Sequence, residues 1–83
     1  MDRKEFLQKL QTVYRDILDD EKIVLTEETT AEDIEEWDSL THVQIVAEIQ
    51  KVFNVKFSAK EILLWENVGD IIDAIEDKTH ANL

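Results

Sequence analysis

Residues 38–53 read Asp38-Ser39-Leu40-Thr41-His42-Val43-Gln44-Ile45-Val46-Ala47-Glu48-Ile49-Gln50-Lys51-Val52-Phe53. Asp38 is a good N-cap, because its carboxylate can accept from the orphan amides of a first helical turn. The apolar spacing then predicts a helix to about Phe53. Ile45, Val46, Ile49 and Phe53 form one stripe, and Leu40, Val43 and Ala47 lie roughly opposite by the 3.6-residue period. A helix with two apolar sides needs two partners. His42 has a wheel angle close to Ile49 and is expected as a packed or half-buried imidazole in the helix interface.

Upstream, residues 19–38 hold ten acids (Asp19, Asp20, Glu21, Glu27, Glu28, Glu32, Asp33, Glu35, Glu36 and Asp38) against one lysine, Lys22. Most of the chain's net charge therefore sits in one connection. Loops beyond about 12–15 residues are uncommon in small domains and tend to be functional. Val24, Leu25 and Ile34 are expected to pin this one to the core. Before it, Phe6, Leu10, Val13, Tyr14 and Ile17 recur at steps of three and four, widened by Leu7 and Leu18. They predict an amphipathic helix opened by Asp2 and Glu5 and ending near Asp19.

Downstream of Asn54-Val55-Lys56-Phe57, the run Ser58-Ala59-Lys60-Glu61 reads as a capping box for a helix of at most two turns that includes Ile62, Leu63 and Leu64. Asn67 caps a last helix with Val68, Ile71, Ile72 and Ile75 on one face, ending near Lys78, and residues 79–83 are expected to fray. Proline is absent and glycine occurs once, at Gly69, so the punctuation of hairpins and multi-stranded sheets is missing. The expected fold is all-α: a small four-helix bundle of three longer helices and a short third one, with a long acidic loop after the first, as one domain over residues 1–83. All four helices are expected to supply core.

Composition excludes several functions. With 83 residues and a formal charge of −11, the chain lacks the cationic surface that nucleic-acid phosphates require. There is no cysteine, which removes disulfides, thiolate metal sites and a protein-borne thiol nucleophile. The start, Met1-Asp2-Arg3-Lys4-Glu5, is charged where a secretory signal is apolar, and no stretch approaches the ~20 apolar residues of a membrane span. A cytoplasmic monomer is the expectation. His42 and His80 are too few and too far apart for a zinc set, and Asp19-Asp20-Glu21-Lys22-Ile23 lacks the alternating ligands and the glycine of an EF-hand loop. Few apolar residues are left over to build a catalytic pocket, so no enzyme activity of its own is expected.

What remains is Asp38-Ser39-Leu40, a serine in the first turn of a helix directly after a long acidic loop. A phosphate ester there would meet free backbone amides at the positive end of the helix dipole. As a bare tripeptide, however, the same residues read more readily as an ordinary helix cap, and the context has to decide.

The wider context is Trp37-Asp38-Ser39-Leu40 followed by His42-Val43, then Phe53-Asn54-Val55-Lys56-Phe57-Ser58 and the stretch from Val68 to Ile75. It resembles the acyl carrier protein family over nearly the whole chain. The resemblance implies that Ser39 is the attachment serine, to which a phosphopantetheinyl transferase joins 4′-phosphopantetheine from coenzyme A. The thiol that the polypeptide lacks would come with that arm, holding an acyl or aminoacyl group as a thioester for loading enzymes and for downstream transferases or synthases with basic or apolar docking surfaces. By the same resemblance Asp38 supports the transferase contact, and Leu40, Val43 and Ala47, with Glu48 and Ile62, face partners; the plainer alternative is that the apolar three meet the short third helix. Val43, Ala47 and Ile62 match positions near a cleft between the second and third helices that takes up acyl chains.

One departure stands out. The second helix of the fatty-acid type is usually acidic, whereas here Thr41, Gln44, Gln50 and Lys51 leave only Glu48 beyond the cap, and Lys56 and Lys60 dilute the charge further. That points to partners outside bulk fatty-acid synthesis. Two rivals are an unmodified acidic adaptor that binds through Leu40, Val43 and Ala47, and a calcium sensor.

Overall fold

The first helix sets the core. In a computed structural model, which describes residues 2–81, α1 (Arg3–Leu18) buries Phe6, Leu10, Val13, Tyr14 and Leu18. The other helices are α2 (Ser39–Phe53), α3 (Ala59–Leu63) and α4 (Val68–Ala81), with no strand among the described residues. Ile45 and Ile49 of α2 and Val68, Ile72 and Ile75 of α4 meet α1 with their side chains removed from water. Each such burial is worth about 1.5–3 kcal/mol. The bundle is all-helical, as expected, and α4 runs to Ala81, three residues past its expected end. Residues 82 and 83 of the expected tail lie outside the described residues.

The caps follow the sequence. Asp2 Oδ1 accepts from the Glu5 amide at 2.9 Å, and Asn67 Oδ1 accepts from the Asp70 amide at 2.9 Å. The single glycine is not used as a helix terminator. Asp19 (φ 52°) and Asn54 (φ 54°) take the left-handed conformation instead, and each amide returns to the helix it closes. Asp and Asn are the side chains that tolerate this region best after glycine. At Ser58 only half of the expected box forms: Ser58 Oγ accepts from the Glu61 amide at 3.1 Å, while the Glu61 carboxylate pairs with Lys78 at 3.0 Å.

The acidic connection is fixed rather than loose. Gln11 Oε1 accepts from the Leu25 amide at 3.0 Å, and Arg15 Nε donates to the Ile23 carbonyl at 2.8 Å. The orphan amides at the start of α4 are satisfied by the loop, Val68 N to Thr29 O at 2.9 Å and Gly69 N to Glu27 O at 2.7 Å. This approach explains the lone glycine. A Cβ at position 69 would lie 3.0 Å from the Glu27 carbonyl oxygen and 3.2 Å from Asn67 Oδ1. Arg3 closes the same side, reaching Glu27 from α1 and also pairing with Asp73 at 2.7 Å and Glu76 at 2.8 Å on α4.

Two expectations about the core fail. Val24 is 70% exposed, while Ile23 and Leu25 are buried. This segment is not helical, so alternate residues face opposite ways and Val24 points out between two anchors. The third helix contributes no buried residue: Ile62 is only half-buried, and Leu63 and Leu64 are exposed. Five residues are too few turns to present a continuous inward stripe. The packing there falls to the flanking rings of Phe57 and Trp65, which meet edge to face at 4.9 Å.

Candidate functional site

The start of α2 is built by a full reciprocal cap. Asp38 Oδ1 accepts from the amides of Leu40 at 3.0 Å and Thr41 at 2.9 Å. Thr41 Oγ1 accepts from the Asp38 amide at 2.8 Å and donates to the Glu36 carbonyl at 2.8 Å. The Thr41 hydroxyl was not foreseen in this role, because a capping box is usually recognised by Glu or Gln at that position. The hydrogen bond from the Thr41 amide, with smaller help from the Thr41 hydroxyl and the Leu40 amide, holds the Asp38 carboxyl below its ordinary value of 3.8. Asp38 is therefore an anion at neutral pH.

Ser39 is the first residue of α2 and is exposed. Its hydroxyl takes none of the capping bonds, so it is not committed to holding the helix. The expectation that several free amides surround it is corrected. Leu40 and Thr41 donate to the Asp38 side chain and His42 N donates to the Asp38 carbonyl at 2.8 Å. That leaves the Ser39 amide as the first-turn donor that Asp38 does not hold. With Glu35, Glu36 and Asp38 close by in sequence, any cation that balances a phosphate here must come largely from a partner.

Beside Ser39 opens a recess of about 390 Å³, with Asp38 and Ser39 in its lining. Its aromatic walls are Trp37, His42 and Trp65, and the almost wholly buried Ile71 also lines it. Trp37 stands edge-on to Tyr14 with ring centres 4.9 Å apart, and its Nε1–H donates to His42 Nδ1 at 3.0 Å. His42 in turn lies 6.4 Å from Trp65, also edge to face. Burial keeps the His42 pKa below 6.5, and the bond from Trp37 requires an unprotonated Nδ1, so the remaining ring proton is on Nε2. His42 is thus a half-buried interface imidazole, as its wheel angle implied.

The other expected site residues divide. Leu40 and Val43 are 71% and 67% exposed, and Ala47 is exposed beside them on the outer side of α2. Glu48 does not join that face. It lines a groove between α1 and α2 with Lys9, Asp16 and Val52. Val43, Ala47 and Ile62 do not line the recess beside Ser39. Among the described residues, no group of three or more histidine or carboxylate side chains converges on a point that would hold a metal, and no helix is long and apolar enough to cross a membrane.

Comparison with known proteins bears on the same region. The family model described as "Phosphopantetheine attachment site" matches residues 8–75. The acyl carrier protein of Coprothermobacter proteolyticus is 26% identical over 80 residues, which span 96% of this chain and 98% of that one. The solution structure of a holo acyl carrier protein from Geobacter metallireducens superposes with a TM-score of 0.85 at 37% identity, covering 92% of this chain and 87% of that one. The crystal structure of an acyl carrier protein from Thermotoga maritima gives 0.88 at 22% identity over 100% and 96% of the two chains, a likeness of fold.

Proposed function

Since the chain belongs to the phosphopantetheine-attachment family, that of the acyl carrier proteins, we propose that Ser39 is the residue that carries the arm. Members of this family hold acyl groups for other enzymes and are not catalysts themselves. The observation that supports Ser39 is its placement: an exposed hydroxyl, free of capping duty, on the first residue of α2 and at the rim of a recess.

The residues fit the group. Attachment requires Ser39 Oγ to lose its proton and bond to the phosphorus of coenzyme A that bears the pantetheine, while the P–O bond to the other bridge phosphate breaks and adenosine 3′,5′-bisphosphate leaves. Asp38 and Thr41 keep the backbone around that oxygen helical throughout. When bound, the group supplies a terminal thiol for thioester exchange. The tether keeps any cargo at high effective concentration near whichever enzyme docks on the chain.

The whole chain acts as one carrier domain in this proposal, presented to a phosphopantetheinyl transferase, a loading enzyme and downstream acyl- or aminoacyl-using enzymes. The outer side of α2 carries Leu40, Val43 and Ala47, while Glu48 is turned toward α1. That supports docking by apolar fit more than by acidic recognition, and with it a specialised pathway rather than bulk fatty-acid synthesis.

The test is to treat the purified protein with a phosphopantetheinyl transferase and coenzyme A. Intact mass is expected to rise by a single 4′-phosphopantetheinyl unit, and Ser39→Ala to abolish the gain without altering the melting temperature. No gain with several transferases, or a gain that survives Ser39→Ala, overturns the assignment. The exposed Leu40 and Val43 also favour a second reading, an unmodified adaptor. In that case Ser39→Ala leaves partner capture unchanged.

A further inference from the structure

We propose that the aromatic recess beside Ser39 is a seat for the arm itself, taking the neutral, branched, amide-bearing segment nearest the phosphate. This rests on Ser39 as the attachment residue. Ser39 and Asp38 are part of the lining, so a chain rooted at Ser39 Oγ starts at the mouth. A volume of about 390 Å³ lies at the small end of the range for small-molecule sites.

The chemistry of the lining selects among the arm's parts. Trp65, which is only half-buried, offers the main apolar surface to a geminal dimethyl group, backed by the largely buried Trp37 and Ile71. His42 Nδ1 is occupied by Trp37, which leaves the Nε2–H to donate to an amide carbonyl. Asp38 and Glu66 also line the recess, with no lysine or arginine among the lining residues. Carboxylates at the mouth accept from amide N–H groups and repel both the phosphate and any anionic cargo. The neutral middle of the arm is the portion that satisfies all three conditions. Trp37 is held on two sides, by Tyr14 and His42, so the seat is preorganised and little ordering is needed on occupation.

The experiment uses protein shown by intact mass and peptide mapping to carry one arm at Ser39. The geminal methyl protons of the arm are expected to resonate upfield of their position in free coenzyme A, with nuclear Overhauser contacts to the indole protons of Trp37 and Trp65. Trp65→Leu is expected to load normally and to lose most of the upfield displacement. Methyl resonances at the free-coenzyme position with no indole contact in the loaded wild type overturn the seat and leave Ser39 standing. So do contacts to the methyls of Val43 or Leu63 instead, which place the arm on another face. A protein that gains no mass at Ser39 overturns both.

Discussion

Trp37→Phe isolates the hydrogen bond that orders the site. The phenyl ring keeps an aromatic face for Tyr14 but cannot donate to His42 Nδ1, now 3.0 Å from the indole nitrogen. Loss of one intramolecular hydrogen bond is worth about 1 kcal/mol. Trp37 is only 7% exposed, and the smaller ring adds about 1–2 kcal/mol of lost burial. The sum, about 2–3 kcal/mol, lowers the melting temperature of a domain this size by about 8–24 °C, at ~4–8 °C per kcal/mol. A double-mutant cycle of Trp37→Phe with His42→Ala, followed by thermal circular dichroism, is expected to return a coupling of about 0.5–1.5 kcal/mol. An NMR titration gives a second signature. The folded His42 pKa lies below 6.5, so the unfolded chain binds the proton more readily, and this group's stabilisation is full above pH 6.5 and is lost as pH falls through the folded value. Burial is what depresses this pKa; the smaller phenyl ring relieves part of that burial and leaves Nδ1 free to take a proton, which moves the His42 midpoint up toward 6.5 and flattens that part of the stability curve. Additive single substitutions together with an unmoved midpoint would refute the bond as the ordering element.

Two further substitutions probe the frame behind the site. Tyr14→Phe removes a hydroxyl that is buried without a hydrogen-bond partner among the described residues, so the melting temperature is expected to stay level or rise by the equivalent of about 1 kcal/mol; a clear fall would mean that the hydroxyl is satisfied in solution. Gly69→Ala improves helix propensity but sets a Cβ 3.0 Å from the Glu27 carbonyl, and the net expectation is a loss of about 1–2 kcal/mol by chemical denaturation, with a gain showing that the loop yields freely.

Much of this architecture is legible from local sequence because caps and periodicity are local signals. Asp2, Asp38, Ser58 and Asn67 each cap the helix they were expected to open, and the exposed serine follows from its place after Asp38. The misses are non-local or depend on a different period. Apolar character alone nominates Val24 as an anchor, but an extended stretch buries alternate residues and selects Ile23 and Leu25 instead. Leu63 and Leu64 show that apolar character does not require burial, since a five-residue helix has too little surface to direct them inward. The recess unites Ala31, Trp37, His42, Trp65 and Ile71, which are brought together only when α4 docks against the loop. No spacing rule connects them. The displacement of Glu48 from the Leu40, Val43 and Ala47 face was available from the helical wheel, since its Cβ points well away from theirs.

The two tryptophans of this chain are Trp37 and Trp65, and both border the same hollow. All of the indole emission therefore originates at one place, next to the serine. Attachment of the arm, exchange of its cargo or arrival of a docking enzyme should each register as a change in intrinsic fluorescence, so the unlabelled protein carries its own optical probe of occupancy.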